Sequence, residues 1–233
     1  RVVACGLANN CASAMSKLLE TGKVDRHKAC DFLGNDMSVC HTMRLRVFAS
    51  MSFSNQGIVS TLERAFSSIA VPEDFQKIDR LVRGIATVWW RQNILAFVGV
   101  KFSEASDRIS PGQLIHYLSG CEALSHLMFS TVLLHRHLHE YNTDPETSMD
   151  VEDWRRINRG VVGKHGKEIP DDVYRLIYRE IKTRFIPGFA LPSRLARGLD
   201  TDEGEPVKNP SCEEADPASS LQIPGNPGLP TST

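Results

Sequence analysis

Two apolar series at helical spacing constrain this chain more than any other feature. Ile58, Leu62, Ala65, Phe66 and Ile69 recur at i, i+4, i+7, i+8 and i+11, which is one face of a helix. Ile78, Leu81, Val82, Ile85, Ala86 and Trp89 make a second such face. No stretch sustains the alternation of a half-buried strand, so the fold class is all-α. Between the two faces lies VPEDFQKIDRLV (71–82). Pro72 stops the first helix and Asp74 stands at the cap position of the second. Ser54 or Asn55 can cap the first. Ser110-Pro111-Gly112-Gln113 is a capping box with proline at the first helical position. ALSHLMFSTVLLHRHLHEY (123–141) is apolar on most sides and predicts a central buried helix. SMDVEDWRRINRG (148–160) reads as a short helix ended by Gly160. IPDDVYRLIYREIKTRFIP (169–187) opens on proline and two acids, carries bases late and stops at Pro187.

At 233 residues the chain can hold one substantial core plus a tail. Its net charge of −1 gives no pull toward nucleic acid. The charge is uneven, net +3 over 1–187 and net −4 over 188–233. Eight of the twelve prolines fall from Pro187 onward. That composition cannot bury enough surface to offset the entropy of ordering, so 188–233 is predicted to be a disordered, acidic, proline-rich tail. No apolar run reaches the roughly 18 residues of a membrane span. Six cysteines without C-x-x-C spacing point to a reduced, intracellular chain rather than a zinc site or disulfide framework. The opening RVVACGLANNCASAM is too short and polar for a signal peptide, and it lacks an initiator methionine, as an internal fragment would. We read 1–15 as an atypical segment ahead of a helical domain at 16–187.

Three constellations carry chemistry, and each has a plain alternative. His135 and His139 of HRHLH share a helix face at i and i+4, either as a metal pair or as a histidine cluster suited to a helix C-terminus. No HExxH-type base completes a metal site, and the cluster is the better reading. Arg155, Arg156, Arg159, Lys164 and Lys167 form either a solvated face or a contact for an anionic membrane or acidic partner. The acids Glu73 and Asp74 belong either to a helix cap or to a loop that presents a carboxylate to a phosphate- or metal-bearing partner. Spacing does not choose between these.

Four segments together resemble the Sec-seven domain, the catalytic module of guanine-nucleotide exchange factors for Arf GTPases. IAVPEDFQKIDR (69–80) is similar to the family's first signature, F-R-L-P-G-E-A-Q-K-I-D-R, with Pro72, Gln76, Lys77, Ile78, Asp79 and Arg80 matching. ACDFLG (29–34) is similar to the family's A-x-x-Y-L-G. FSTVLLHRHLHEYN (129–142) resembles the second signature, keeping Phe129, Leu134, Leu138, His139 and Asn142. Residues 149–182 resemble the closing helices. The order of these segments covers roughly residues 16–187, and the family's first helices have no recognisable counterpart before residue 16.

The resemblance implies a right-handed superhelix of about ten helices, with a groove between the two signatures for the switch regions of an Arf-family small GTPase. It implies that the loop acid enters the nucleotide site. Asp74 falls on the catalytic glutamate's position, with Glu73 beside it; Pro72, Gln76 and Asp79 are implied as GTPase-binding residues, with Gln76 and Asp79 also shaping the loop. Phe129, Ser130, Val132, Leu133, His135, His137 and Glu140 fall on the GTPase-binding helix. No cofactor or metal is implied for the chain itself, because the GTPase carries GDP or GTP and Mg²⁺. The implied place is the cytoplasm, with recruitment to Golgi, endosomal or plasma membranes. The departures are specific. The family's Gly-Glu is Glu73-Asp74, its preceding arginine is Ala70, and two asparagine positions are His135 and Glu140. Aspartate is one methylene, about 1.5 Å, shorter than glutamate. Two further readings stand beside an exchange factor: a module that binds a GTPase without exchange, and an unrelated metal protein built on His135 and His139.

Overall fold

The computed structural model describes residues 2–97, 110–141, 148–161 and 163–190. They form nine α-helices: α1 Val2–Glu20, α2 Arg26–Leu33, α3 Ser38–Ser50, α4 Ile58–Ser68, α5 Phe75–Phe97, α6 Pro111–Tyr117, α7 Cys121–Arg136, α8 Val151–Ile157 and α9 Asp171–Thr183. Among the described residues there is no strand, only an isolated bridge between Leu118 and Gly163. No described helix is long and apolar enough to cross a membrane. The predicted tail from residue 191 on, Asn142 and most of the segment linking α5 to α6 lie outside the described residues.

The core is built around α5, which packs along α7 and against α3. Both apolar faces read from the sequence are inside: Ile58, Leu62, Ala65, Phe66 and Ile69 on α4 and its end, and Ile78 through Trp89 on α5. Burying such a face is what holds an amphipathic helix in place, since isolated helices of this length are marginal in water. The Ser110 box is complete: its hydroxyl accepts from the Gln113 amide at 3.3 Å, and the Gln113 side chain accepts from the Ser110 amide at 2.8 Å. α7 is buried along most of its length, as its composition predicts.

Four boundaries differ from the sequence reading. α4 is capped by neither Ser54 nor Asn55 but begins after Gly57, with no side-chain cap. Asn55 is instead held in the left-handed region at φ 59°, its amide donating to Asn93 Oδ1 at 2.9 Å. A cap needs extended backbone there, so the turn and the cap are incompatible. α1 starts at Val2 and packs on α3, so the helical array begins well before residue 16. α7 ends at Arg136 in a π-turn, His137–Tyr141, rather than running on to Tyr141. α9 ends at Thr183, and the chain beyond Pro187 is still in the core: Phe189 is fully buried, edge-on to Phe66 at 5.9 Å.

Candidate functional site

The loop joining α4 to α5 carries the two acids. Its base is apolar and enclosed: Ile69 and Val71 are fully buried, and Pro72 is buried too. Glu73, Asp74, Phe75 and Gln76 follow, all exposed. Asp74 Oδ1 accepts from the Gln76 amide at 2.7 Å and the Lys77 amide at 3.4 Å, so it caps α5. These are two of the four N-terminal amides that a helix cannot satisfy itself. Glu73 has no hydrogen-bond or ion-pair partner among the described residues.

Three sets of contacts fix this loop. Upstream, Arg26 Nη2 donates to the Phe66 carbonyl at 2.8 Å, and the Ala70 amide donates to the Arg26 carbonyl at 3.4 Å. Downstream, the first turns of α5 are tied to α2. Lys77 Nζ meets Asp31 at 2.8 Å, and Arg80 donates to the Gly34 carbonyl at 3.3 Å and lies 3.5 Å from Asp36. Gly34 permits this approach, because a Cβ there would sit 2.8 Å from Lys77 Cβ. Arg44, itself buried, donates to the carbonyls of Leu33 (2.7 Å), Asn35 (2.9 Å) and Arg80 (3.0 Å). Burial pushes its pKa below the usual guanidinium value. From α7, Arg136 Nη2 donates to the Pro72 carbonyl at 2.9 Å. The acids thus stand on a loop clamped by α2 on one side and α7 on the other.

Along α7 the residues divide by face. Phe129 and Leu133 are half-buried and keep exposed surface. Val132 and His135 are fully buried, and Glu140 is nearly so. The Ser130 hydroxyl accepts from Trp154 Nε1 at 2.7 Å and Asn158 Nδ2 at 2.8 Å, which joins α7 to α8. His135 Nε2 accepts the Ile186 amide at 2.9 Å, and its ring lies tilted against His139 at 4.7 Å and meets Phe189 edge-on at 5.1 Å. Burial, with His139 and Arg136 adding to it, lowers the His135 pKa to about 3, so the ring is neutral. His139 Nε2 lies 2.8 Å from the Ile181 carbonyl and must donate to it. The His135–His139 pair is therefore turned onto backbone groups. Among the described residues no cluster of three or more His, Cys, Asp or Glu side chains could hold a metal ion. His137 Nε2 accepts the Met149 amide at 3.3 Å. Gln76 accepts from Arg80 at 3.3 Å, and Asp79 pairs with Arg83 at 2.9 Å.

Two residues of this site have no mark in the sequence reading. Phe75 is 53 % exposed beside the acids, although it lies three residues before Ile78 on the apolar register of α5. Arg136 is a buried cation whose target lies 64 residues back in the chain. An arginine within an otherwise apolar run is the only local signal for the second.

The model of the Sec7 domain family matches residues 2–186, and the chain belongs to that family. Solved structures share the fold. The N-terminal Sec7 domain of RalF is 20% identical with a TM-score of 0.58, covering 77% of this chain and 76% of that one. The Sec7p catalytic domain is 23% identical with a TM-score of 0.57, covering 75% and 82%. A Sec7 domain solved with ARF1-GDP and brefeldin A is 14% identical with a TM-score of 0.59, covering 80% and 79%. The architecture is therefore the all-α superhelix of this family, and it includes α1.

Proposed function

We propose that the chain is a guanine-nucleotide exchange factor for an Arf-family small GTPase. The observation that carries this is the clamped loop: two exposed carboxylates on a fixed base, on the element preceding α5, which packs along α7. Family membership and the likeness to a Sec7 domain solved with ARF1-GDP support it. A carboxylate brought to the β-phosphate repels it and competes for the cationic groups and Mg²⁺ that hold it, so nucleotide affinity falls. Linkage makes the loss reciprocal: the factor binds the nucleotide-free GTPase best. Asp74 is the finger and Glu73 assists it. Phe75, Phe129 and Leu133 supply apolar contact, and Gln76 and Asp79 shape the loop. The chain needs no cofactor of its own, since the GTPase carries the nucleotide and Mg²⁺.

The cap bonds of Asp74 favour a second reading. A short carboxylate already committed to two amides is poorly placed to reach out, and such a chain would bind the GTPase without exchange. Release of a fluorescent GDP analogue from a panel of Arf-family GTPases decides between them. Fast release by the wild type, abolished by Asp74→Lys, supports the exchange factor. A stable complex with nucleotide-free GTPase and no release supports the second reading. Membrane contact rests on fewer cations than the sequence offers. Arg155 pairs with Asp171 at 2.7 Å and Arg156 pairs with Asp153, leaving Arg159, Lys164 and Lys167 as its exposed candidates.

A further inference from the structure

We propose that Arg136 is a positioning residue for the loop acids, coupling the helix that faces the GTPase to the finger. This rests on the exchange reading above. Arg136 closes α7, three residues after the half-buried Leu133, and is 1% exposed. Its guanidinium donates to the carbonyl of Pro72, the last buried residue before Glu73 and Asp74. Pro72 has a fixed φ and no amide, so its carbonyl is the handle by which this peptide can be held. A guanidinium suits the task. It stays charged when buried, and its planar fork fixes direction as well as distance. A charge-assisted bond of this kind is roughly twice as strong as a neutral one. Glu140, buried four residues further on, supplies a carboxylate in the same stretch.

The loop's other ties reach it from α2 and end at Ala70 and at the first turns of α5. Among the described residues, only the Arg136 bond acts on the peptide directly before the acids and comes from α7. Displacement of a reacting group by about 1 Å can cost on the order of 10²-fold in rate. Loss of this bond should therefore reduce the catalytic step and leave the GTPase contact surface in place.

The test uses the full chain with Arg136→Met, Arg136→Lys and the double variant Arg136→Met/Glu140→Gln, which leaves no buried charge behind if the single variant folds poorly. Two readouts are taken: GDP release against GTPase concentration, and amide hydrogen exchange of Glu73–Lys77 in the free chain. We expect the maximal release rate to fall at least 10-fold in the Met variants, with the half-saturating GTPase concentration changed less than 3-fold. Loop amides should exchange at least 10-fold faster while those of Ile85–Trp89 are unchanged. Arg136→Lys, which can still donate to Pro72, should recover to within about 3-fold of wild type. Equal maximal rates in all variants would overturn the inference alone. So would a uniform rise in exchange across α5, which marks a purely structural role. No release by the wild type would overturn the exchange reading and this inference with it.

Discussion

Asp74 carries two roles that different substitutions separate. Its Oδ1 takes the amides of Gln76 and Lys77, at 2.7 and 3.4 Å, and its charge is the proposed agent of nucleotide release. Asparagine caps a helix about as well as aspartate, whereas alanine costs about 0.5–2 kcal/mol. Asp74→Asn should therefore lose little stability, mainly the helix-dipole term of about 0.3–1 kcal/mol. Asp74→Ala should lose roughly 1 kcal/mol more, about 2–4 °C in Tm for a domain of this size. On the GTPase, one unit charge about 4 Å from a phosphate charge is worth about 1–4 kcal/mol between water-like and surface-like dielectric. Each 1.4 kcal/mol is about tenfold, so neutralising Asp74 should slow GDP release by roughly 5- to 1000-fold. Both variants should lose exchange to a similar degree although only one loses the cap. The assay pairs fluorescent GDP release with thermal unfolding. If Asp74→Asn releases GDP at the wild-type rate, the charge of Asp74 is not the agent. Loss in a Glu73→Ala variant alone would then move the finger to Glu73. If release instead tracks Tm across the two Asp74 variants, the residue is only a cap.

Three other outcomes follow from the packing. Ser130→Ala leaves the indole of Trp154 without its acceptor and takes one of two acceptors from the Asn158 amide, which keeps the Trp154 carbonyl, and should cost about 1–3 kcal/mol in urea unfolding; a loss below about 0.5 kcal/mol would refute the role given to that hydroxyl. His135 is neutral when folded, with its pKa lowered to about 3, and titrates near its ordinary value of 6.5 when unfolded. The unfolded chain therefore binds the extra proton, and stability falls as pH drops from about 6.5 toward 3, by up to about 1.4 kcal/mol per pH unit. His135→Gln, which keeps an acceptor for the Ile186 amide and cannot titrate, should flatten that slope; parallel pH profiles for the two proteins would count against it. Phe75→Ala should raise the half-saturating GTPase concentration by roughly 5- to 30-fold, about 1–2 kcal/mol, with Tm nearly unchanged because the ring is half exposed; an unchanged saturation curve would remove Phe75 from the interface.

What short-range rules govern was legible in the residues alone. The apolar faces of α4 and α5, the Ser110 box and the buried character of α7 all follow from spacing within a few residues, which also puts Asp74 at a cap position without deciding its role. Order along the chain also sufficed for the family, because its segments keep their sequence. The tertiary structure decided what spacing leaves open. Phe75 shares the register of Ile78, yet it points outward because the loop ahead of it ends the packed face. His135 stands among residues read as a GTPase contact, yet Ile186 and Phe189 close over it from a segment read as the start of the tail. Asn55 gave up the cap of α4 to a turn dictated by Asn93, 38 residues away. Arg136 found its acceptor 64 residues back. Periodicity names the face of a helix that is buried, since burial of apolar surface drives folding. Which neighbour covers that face, and which polar group a buried cation must satisfy, depends on partners distant in sequence, so only the packed structure sets them.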